Sequence, residues 1–131
     1  MEKGILKILS VDDDAINTKL LLKMLSRYPD IENIETVKIA VNGQEAIDEI
    51  KADKEINLIL LDIQMPVMTG MEFLEIRMTD EDLANIPVVV LTTDETKKVE
   101  ALDKGATDFL TKPIREKELF EKLDMIKELY E

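Results

Sequence analysis

The chain has no cysteine, no histidine and no tryptophan, and its aromatic residues are three Phe and two Tyr in 131 residues. Without cysteine there are no disulfides, thiol nucleophiles or thiolate metal sites. Without histidine there is no Ser-His-Asp triad, no His-ligated zinc and no phosphohistidine carrier. Basic residues are outnumbered, 17 Lys and Arg against 29 Asp and Glu, for a formal net charge of −12 at pH 7. That balance argues against direct binding to nucleic acid or anionic membranes and favours basic partners or a divalent cation. No apolar run approaches the ~20 residues of a membrane span. Met1-Glu2-Lys3-Gly4 leads into a strand without a small-residue cleavage site, so no signal peptide is expected and a cytoplasmic address is the default.

At 45% hydrophobic and 35% charged residues, the composition is globular, and residues 1–131 fit one domain. The central feature is Leu58-Ile59-Leu60-Leu61, too short for a helix and bounded by turn formers, as in a strand buried on both faces of a parallel sheet. It ends in Asp62, followed by a loop with Pro66 and Gly70. Other strands are expected over Ile5–Val11, Thr36–Val41, Ile86–Leu91 and Asp108–Thr111. Helices are expected over Ala15–Ser26, Gln44–Lys51, Met71–Met78, Asp94–Lys104 (closed by Gly105) and Arg115–Tyr130. Inward faces are Ile16, Leu20 and Met24 with Leu21 and Leu25 beside them, then Ala46, Ile47 and Ile50, then Phe73, Leu74 and Met78. The fourth helix offers only Val99, Ala101 and Leu102, and the last Leu119, Phe120, Leu123, Ile126 and Tyr130. Met125 and Leu129 lie off that stripe, either as a partner or dimer surface or as incidental exposure. Five uninterrupted strand–helix units specify an α/β fold, a doubly wound parallel sheet with right-handed crossovers and helices on both faces.

A lone strand-end aspartate more often starts a loop or caps a turn. Here the other strand ends change the weighting. Strand one ends in Asp12-Asp13-Asp14, strand four in Thr92-Thr93 and strand five in Lys112, all on the edge where open α/β sheets bind ligands. Clustered carboxylates repel unless some protonate or a cation joins them. With oxygen ligands alone, a hard divalent ion such as Mg²⁺ suits the site. Lys112 and Thr92 then offer a positive charge and a donor to an anion, as phosphoryl transfer requires. Asp14 fits a loop or helix-capping role better than a chemical one.

Taken in order, Val11-Asp12-Asp13-Asp14, Asp62-Ile63-Gln64-Met65-Pro66 with Gly70, Leu91-Thr92-Thr93 and Lys112-Pro113 resemble the receiver domain of two-component response regulators, across nearly the whole chain. The resemblance implies a flavodoxin-like (βα)5 fold of strand order 2-1-3-4-5 and a cis Lys112–Pro113 bond. It implies that Asp62 accepts a phosphoryl group from a sensor histidine kinase or phosphotransfer protein. Asp13, Asp62 and the carbonyl of Gln64 would be direct Mg²⁺ ligands, with Asp12 acting through water. Lys112 would pair with Asp62 and the phosphoryl oxygens, and Thr92 and Phe109 would be the switch pair. Gln64 and Asp94 would tune the dephosphorylation rate. Thr93 stands where the family usually has a smaller residue. The module would be a signalling switch catalysing only its own phosphorylation and dephosphorylation. It would read out through its fourth helix, fifth strand and fifth helix to a protein target, an attached output domain or a phosphorylated homodimer.

Two other functions compete. A haloacid-dehalogenase-type Mg²⁺-dependent phosphatase would use Asp12 as nucleophile, Asp12-Asp13-Asp14-Ala15-Ile16 being loosely similar to its signature, but leaves the Asp62–Gly70 segment unexplained. A receiver-like scaffold that takes no phosphate would have little use for the complete acidic set.

Overall fold

The structure, a computed structural model, describes residues 6–29, 37–65 and 67–128. Strands β1 (Ile8–Val11), β2 (Lys38–Ala40), β3 (Leu58–Asp62), β4 (Val88–Thr92) and β5 (Asp108–Thr111) alternate with helices α1 (Ala15–Leu25), α2 (Gly43–Ala52), α3 (Gly70–Thr79), α4 (Lys98–Asp103) and α5 (Glu116–Glu128). The strands form one parallel sheet of order β2-β1-β3-β4-β5, so β3 is central, with both neighbours paired to it. Leu58, Ile59, Leu60 and Leu61 are each at most 1% exposed. Each such side chain contributes about 1.5–3 kcal/mol on burial.

Because strand side chains alternate between faces, the sheet divides its apolar residues into two cores. Val11, Ile59, Leu61, Val88 and Val90 pack with Ala46, Ile50, Phe73, Leu74 and Ala101, from the α2, α3 and α4 side. Ile8, Leu58, Leu60, Val89 and Leu91 pack with Leu21, Leu25, Leu119, Leu123 and Ile126, from the α1 and α5 side. At the end of α1, the Tyr28 hydroxyl donates to Asp124 Oδ1 at 2.5 Å and its ring meets Phe120 edge-on at 5.0 Å. Burial, then the Asp124 carboxylate, holds the Tyr28 phenol well above its ordinary range.

The expected order and element types hold, and three details differ. On α1 the buried arc is Thr18, Leu21 and Leu25, whereas Ile16 and Leu20 are 71% and 55% exposed. Leu20, Leu21, Leu22, Met24 and Leu25 are apolar over more than half the helix circumference, so periodicity alone does not choose the arc that meets the sheet. Met78, expected inward, is exposed. The segment after β4 is a 3-10 turn, Glu95–Lys97, followed by the six-residue α4 rather than one continuous helix. Gly105 closes it with φ +96°, its N–H bonding Leu102 O at 3.0 Å while Ala106 N–H bonds Ala101 O at 3.0 Å. This is the left-handed terminator that glycine favours. The expected strand starts at Ile5 and Thr36, together with Pro66, Leu129 and Tyr130, lie outside the described residues.

Arg77 is a buried cation that hydrophobic patterning does not reveal. It is 7% exposed, and its guanidinium donates to Ile86 O at 3.0 and 2.7 Å and to Gly105 O at 3.0 Å, tying α3 to the loops before β4 and β5. Arg77→Ala leaves those carbonyls short of donors. The expected loss is about 2 kcal/mol or more, read as a lower urea midpoint with an unchanged slope. A midpoint equal to wild type would show that water replaces the guanidinium at no cost.

Candidate functional site

The sheet register decides which side chains meet. Val11 pairs with Leu61 and Thr92 with Thr111, so Asp12 follows beside Asp62, and Lys112 follows beside the end of β4. Carboxylate oxygens of Asp12, Asp13 and Asp62 all lie within 4.8 Å of one another. Asp12 and Asp62 are buried at 6% and 7% exposure, while Asp13 is exposed at the mouth. Lys112 Nζ lies 3.5 Å from Asp12 Oδ2 and 3.5 Å from Asp62 Oδ2. A cleft of about 250 Å³ opens over this group, lined by Asp13, Asp14, Asn17, Gln64, Thr92 and Thr93 besides Asp62 and Lys112.

The loops around the cleft are held by their own backbone chemistry. Asp12 Oδ1 accepts the Asp14 N–H at 2.9 Å, and Asp14 caps α1 by accepting from the N–H groups of Ile16 and Asn17. Asp14 therefore has the capping role expected of it. After β3, Asp62 Oδ1 accepts the Gln64 N–H at 3.2 Å. Thr69 and Glu72 form a reciprocal capping box at the start of α3, and the Gly70 N–H reaches back to Ile63 O at 3.1 Å. A Cβ on Gly70 would sit 2.5 Å from Ile63 Cα and 2.8 Å from Asp62 O, so only glycine lets the loop close this tightly behind the site. Val67, exposed at 84%, has φ +67°, a left-handed conformation costly for a β-branched residue. The Lys112–Pro113 peptide is cis, as the resemblance implies.

Burial, the largest influence, pushes the Asp62 carboxyl above its ordinary range, and neighbouring Asp12 pushes it the same way. The Gln64 N–H and Lys112 pull it down but do not cancel the burial. An ionised Asp62 therefore benefits from more positive charge than Lys112 supplies. Three carboxylates within reach of one point, with no nitrogen or sulfur donor, fit a hard divalent cation.

The remaining residues named from the sequence fall around this centre. Thr92 is 1% exposed, and its hydroxyl accepts the Asp94 N–H at 3.0 Å. The Gln64 side chain is exposed at the cleft mouth. Asp94 caps the 3-10 turn, accepting from Thr96, and that bonding lowers its carboxyl below the ordinary range. Phe109 is buried outside the cleft in the α2–α4 core, beneath Lys98, whose Nζ lies 5.8 Å from the ring centroid. Lys98 was not foreseen, because a lysine in a charged helix carries no signal of an aromatic partner on a later strand. Asp12, the nucleophile of the phosphatase alternative, already bonds the Asp14 N–H and faces Lys112.

Residues 8–124 match the response regulator receiver domain family. A segment of the osmosensing histidine protein kinase SLN1 of Saccharomyces cerevisiae is 36% identical over 120 residues, covering 86% of this chain and 9% of that protein. The transcriptional regulatory protein CpxR homolog of Haemophilus influenzae is 37% identical over 123 residues, covering 92% of this chain and 49% of that protein. The chain thus spans less than half the length of either relative. Among solved structures, the response regulator domain of Thermotoga maritima CheB superposes with a TM-score of 0.79 at 30% identity, covering 95% of this chain and 97% of that one. Vibrio cholerae chemotaxis response regulator CheY4 gives a TM-score of 0.80 at 30% identity, covering 93% and 98%. The strand-end acids and Lys112 thus lie within a matched segment that spans the whole described sheet, and the chain belongs to the response regulator receiver domains of two-component signalling.

Proposed function

We propose that Asp62 is the phosphoacceptor of this domain, and that residues 1–131 act as one switch module in the cytoplasm. The observation that carries this reading is the convergence of Asp12, Asp13 and Lys112 on a single buried strand-end carboxylate. An Asp62 oxygen attacks phosphorus, the bond from phosphorus to the donor's imidazole nitrogen (or acetyl oxygen) breaks, and its electron pair leaves with the donor. Lys112, 3.5 Å from Asp62 Oδ2, is placed to meet a phosphoryl oxygen. Thr92 offers its hydroxyl from the next strand end. Asp13 and Asp62, with the Gln64 carbonyl and Asp12 around them, would hold Mg²⁺, which when bound offsets the charge brought by the phosphoryl group.

The partner class is a sensor histidine kinase or phosphotransfer protein. Likeness to segments of a histidine protein kinase and of a transcriptional regulatory protein supports a place between phosphoryl donor and output. The output surface is α4, β5 and α5, reading to a target protein, an attached domain or a second phosphorylated copy. The chemistry serves signalling, with no turnover beyond the domain's own phosphorylation and dephosphorylation.

Incubation with acetyl phosphate and Mg²⁺ is expected to add one phosphoryl group at Asp62, mapped by mass spectrometry after borohydride trapping, and none to Asp62→Asn. Label on Asp12 would instead restore the phosphatase reading, and no label would favour the scaffold.

The raised Asp62 carboxyl makes a second expectation. Its favourable contribution to folding is complete below the ordinary carboxylate range and is lost as pH rises through the raised folded value. Ionised Asp62 therefore opposes folding in metal-free neutral solution. Asp62→Asn should raise the thermal midpoint by about 3–5 °C near neutral pH, with the gain shrinking toward about pH 4. Mg²⁺ should raise the wild-type midpoint more than the variant's. An unchanged or lowered midpoint in Asp62→Asn would remove this account of the site's electrostatics.

Gln64 lines the cleft with its side chain exposed, and Asp94, held by Thr96, follows Thr92 and Thr93 of the cleft lining, which puts both near the path a hydrolytic water would take. Replacing either side chain by alanine should change the lifetime of the phosphorylated form, followed by loss of label after donor removal. Identical decay in both variants and wild type would reject this role.

A further inference from the structure

The 3-10 turn and α4 together bury almost nothing. No residue of the turn is buried, α4 buries only Ala101, and Val99 and Leu102 are 68% and 39% exposed. Hydrophobic packing of the kind that anchors α5 is therefore missing here, and side-chain ties take its place. The Asp94 N–H donates to Thr92 Oγ1 at 3.0 Å. The Thr111 hydroxyl donates to Glu95 Oε1 at 3.3 Å. The Lys98 ammonium sits 5.8 Å from the centroid of the Phe109 ring.

These ties form a pattern. Phe109 and Thr111 are two apart on β5 and so share one face of the strand. Glu95 and Lys98 are three apart and so share one side of the turn–helix segment. Two rungs, Glu95 to Thr111 and Lys98 to Phe109, therefore span the same gap. They line a groove of about 420 Å³ with Glu118, Glu121 and Lys122. Phe109 is the register partner of Val90 and belongs to the same buried cluster as Val90 and Ala101, so the ring lies in the core that β5, β4 and α4 share. The third tie reaches the acidic cleft itself, because its acceptor is the Thr92 hydroxyl. A hydroxyl turned toward Asp62 gives up the Asp94 N–H and leaves the two rungs, with the Lys104–Glu75 pair at the far end of α4, to hold the segment.

We propose that Lys98 is a positioning residue whose ammonium, seated on the Phe109 ring, holds α4 against β5 and carries the ring's position to the helix. The contact stands on geometry alone, and its coupling to the acidic cleft rests on the receiver reading above. Lys98→Met keeps the aliphatic stem without the charge, and Lys98→Arg keeps a cation able to stack on the ring.

By nuclear magnetic resonance, the Lys98 ε-methylene protons of wild type should lie upfield from the ring current and return to the ordinary lysine position in Phe109→Leu. Amide exchange across residues 98–103 should accelerate roughly two- to five-fold in Lys98→Met, with α5 unchanged and Lys98→Arg close to wild type. On addition of acetyl phosphate and Mg²⁺, the amide shifts of α4 should be reduced in Lys98→Met and restored in Lys98→Arg, with label still entering Asp62. Wild-type exchange in Lys98→Met, an absent ring-current shift, or full α4 shifts in a labelled Lys98→Met would each overturn the proposal. If wild type takes no label at Asp62, the receiver reading fails separately, and the exchange and ring-current results still judge Lys98.

Discussion

The mutual repulsion of Asp12, Asp13 and Asp62, set against the one ammonium of Lys112, is the constraint around which this domain is arranged. Two of the three carboxylates are buried, and their oxygens lie within 4.8 Å of those of the third. Bringing such groups together costs folding energy, and arrangements of this kind concentrate at functional sites. The parallel sheet bears the cost by sinking it into its most secure elements. β1 and β3 are buried along their whole length and paired to each other in register. Repulsion at their ends cannot move the acids apart without breaking the centre of the sheet.

The same logic explains the loop after β3. Asp62 needs the Gln64 N–H on one oxygen and Lys112 near the other. Meeting both demands requires a tight return, for which the chain accepts a left-handed Val67 and a glycine wedged against Ile63. The capping box of Thr69 and Glu72 then starts α3 immediately, so the strained segment is short and fixed at both ends. Strain stored next to a buried carboxylate and held by neighbouring regular structure keeps the geometry of such a site fixed.

Away from the acids the stabilising forces change in kind. α5 is held by Leu119, Leu123 and Ile126 and by Asp124 meeting Tyr28, whereas α4 has a single buried alanine and polar ties. A helix held by hydrogen bonds and a ring–cation contact moves at a cost of about 1 kcal/mol per tie, far less than opening an apolar core. The firm half of the domain thus holds the acidic cluster, and the lightly held half lies beside Thr92, the residue shared by both.

The primary structure alone was enough to order the elements, because runs such as Leu58–Leu61 and Val88–Leu91 are too short for helices, are bounded by turn formers and alternate with helical patterns. It also placed the acids, the hydroxyl and the lysine at strand ends, since Asp12, Asp62 and Thr92 follow directly on apolar runs and Lys112 follows the short strand Asp108–Thr111. Asp14 as a cap and Gly105 as a helix terminator were legible for the same reason: their roles are local, settled within four residues of chain. What the sequence did not decide is what depends on partners far along the chain. The apolar residues of α1 cover too wide an arc for periodicity to say that Leu21 and Leu25, rather than Ile16 and Leu20, meet the sheet. Arg77 became a buried tie only because the loops before β4 and β5 present carbonyls to it, and Lys98 found Phe109 only because the crossover returns β5 beside α4. Periodicity records which residues avoid water, whereas the packing of distant segments chooses the neighbours that replace it.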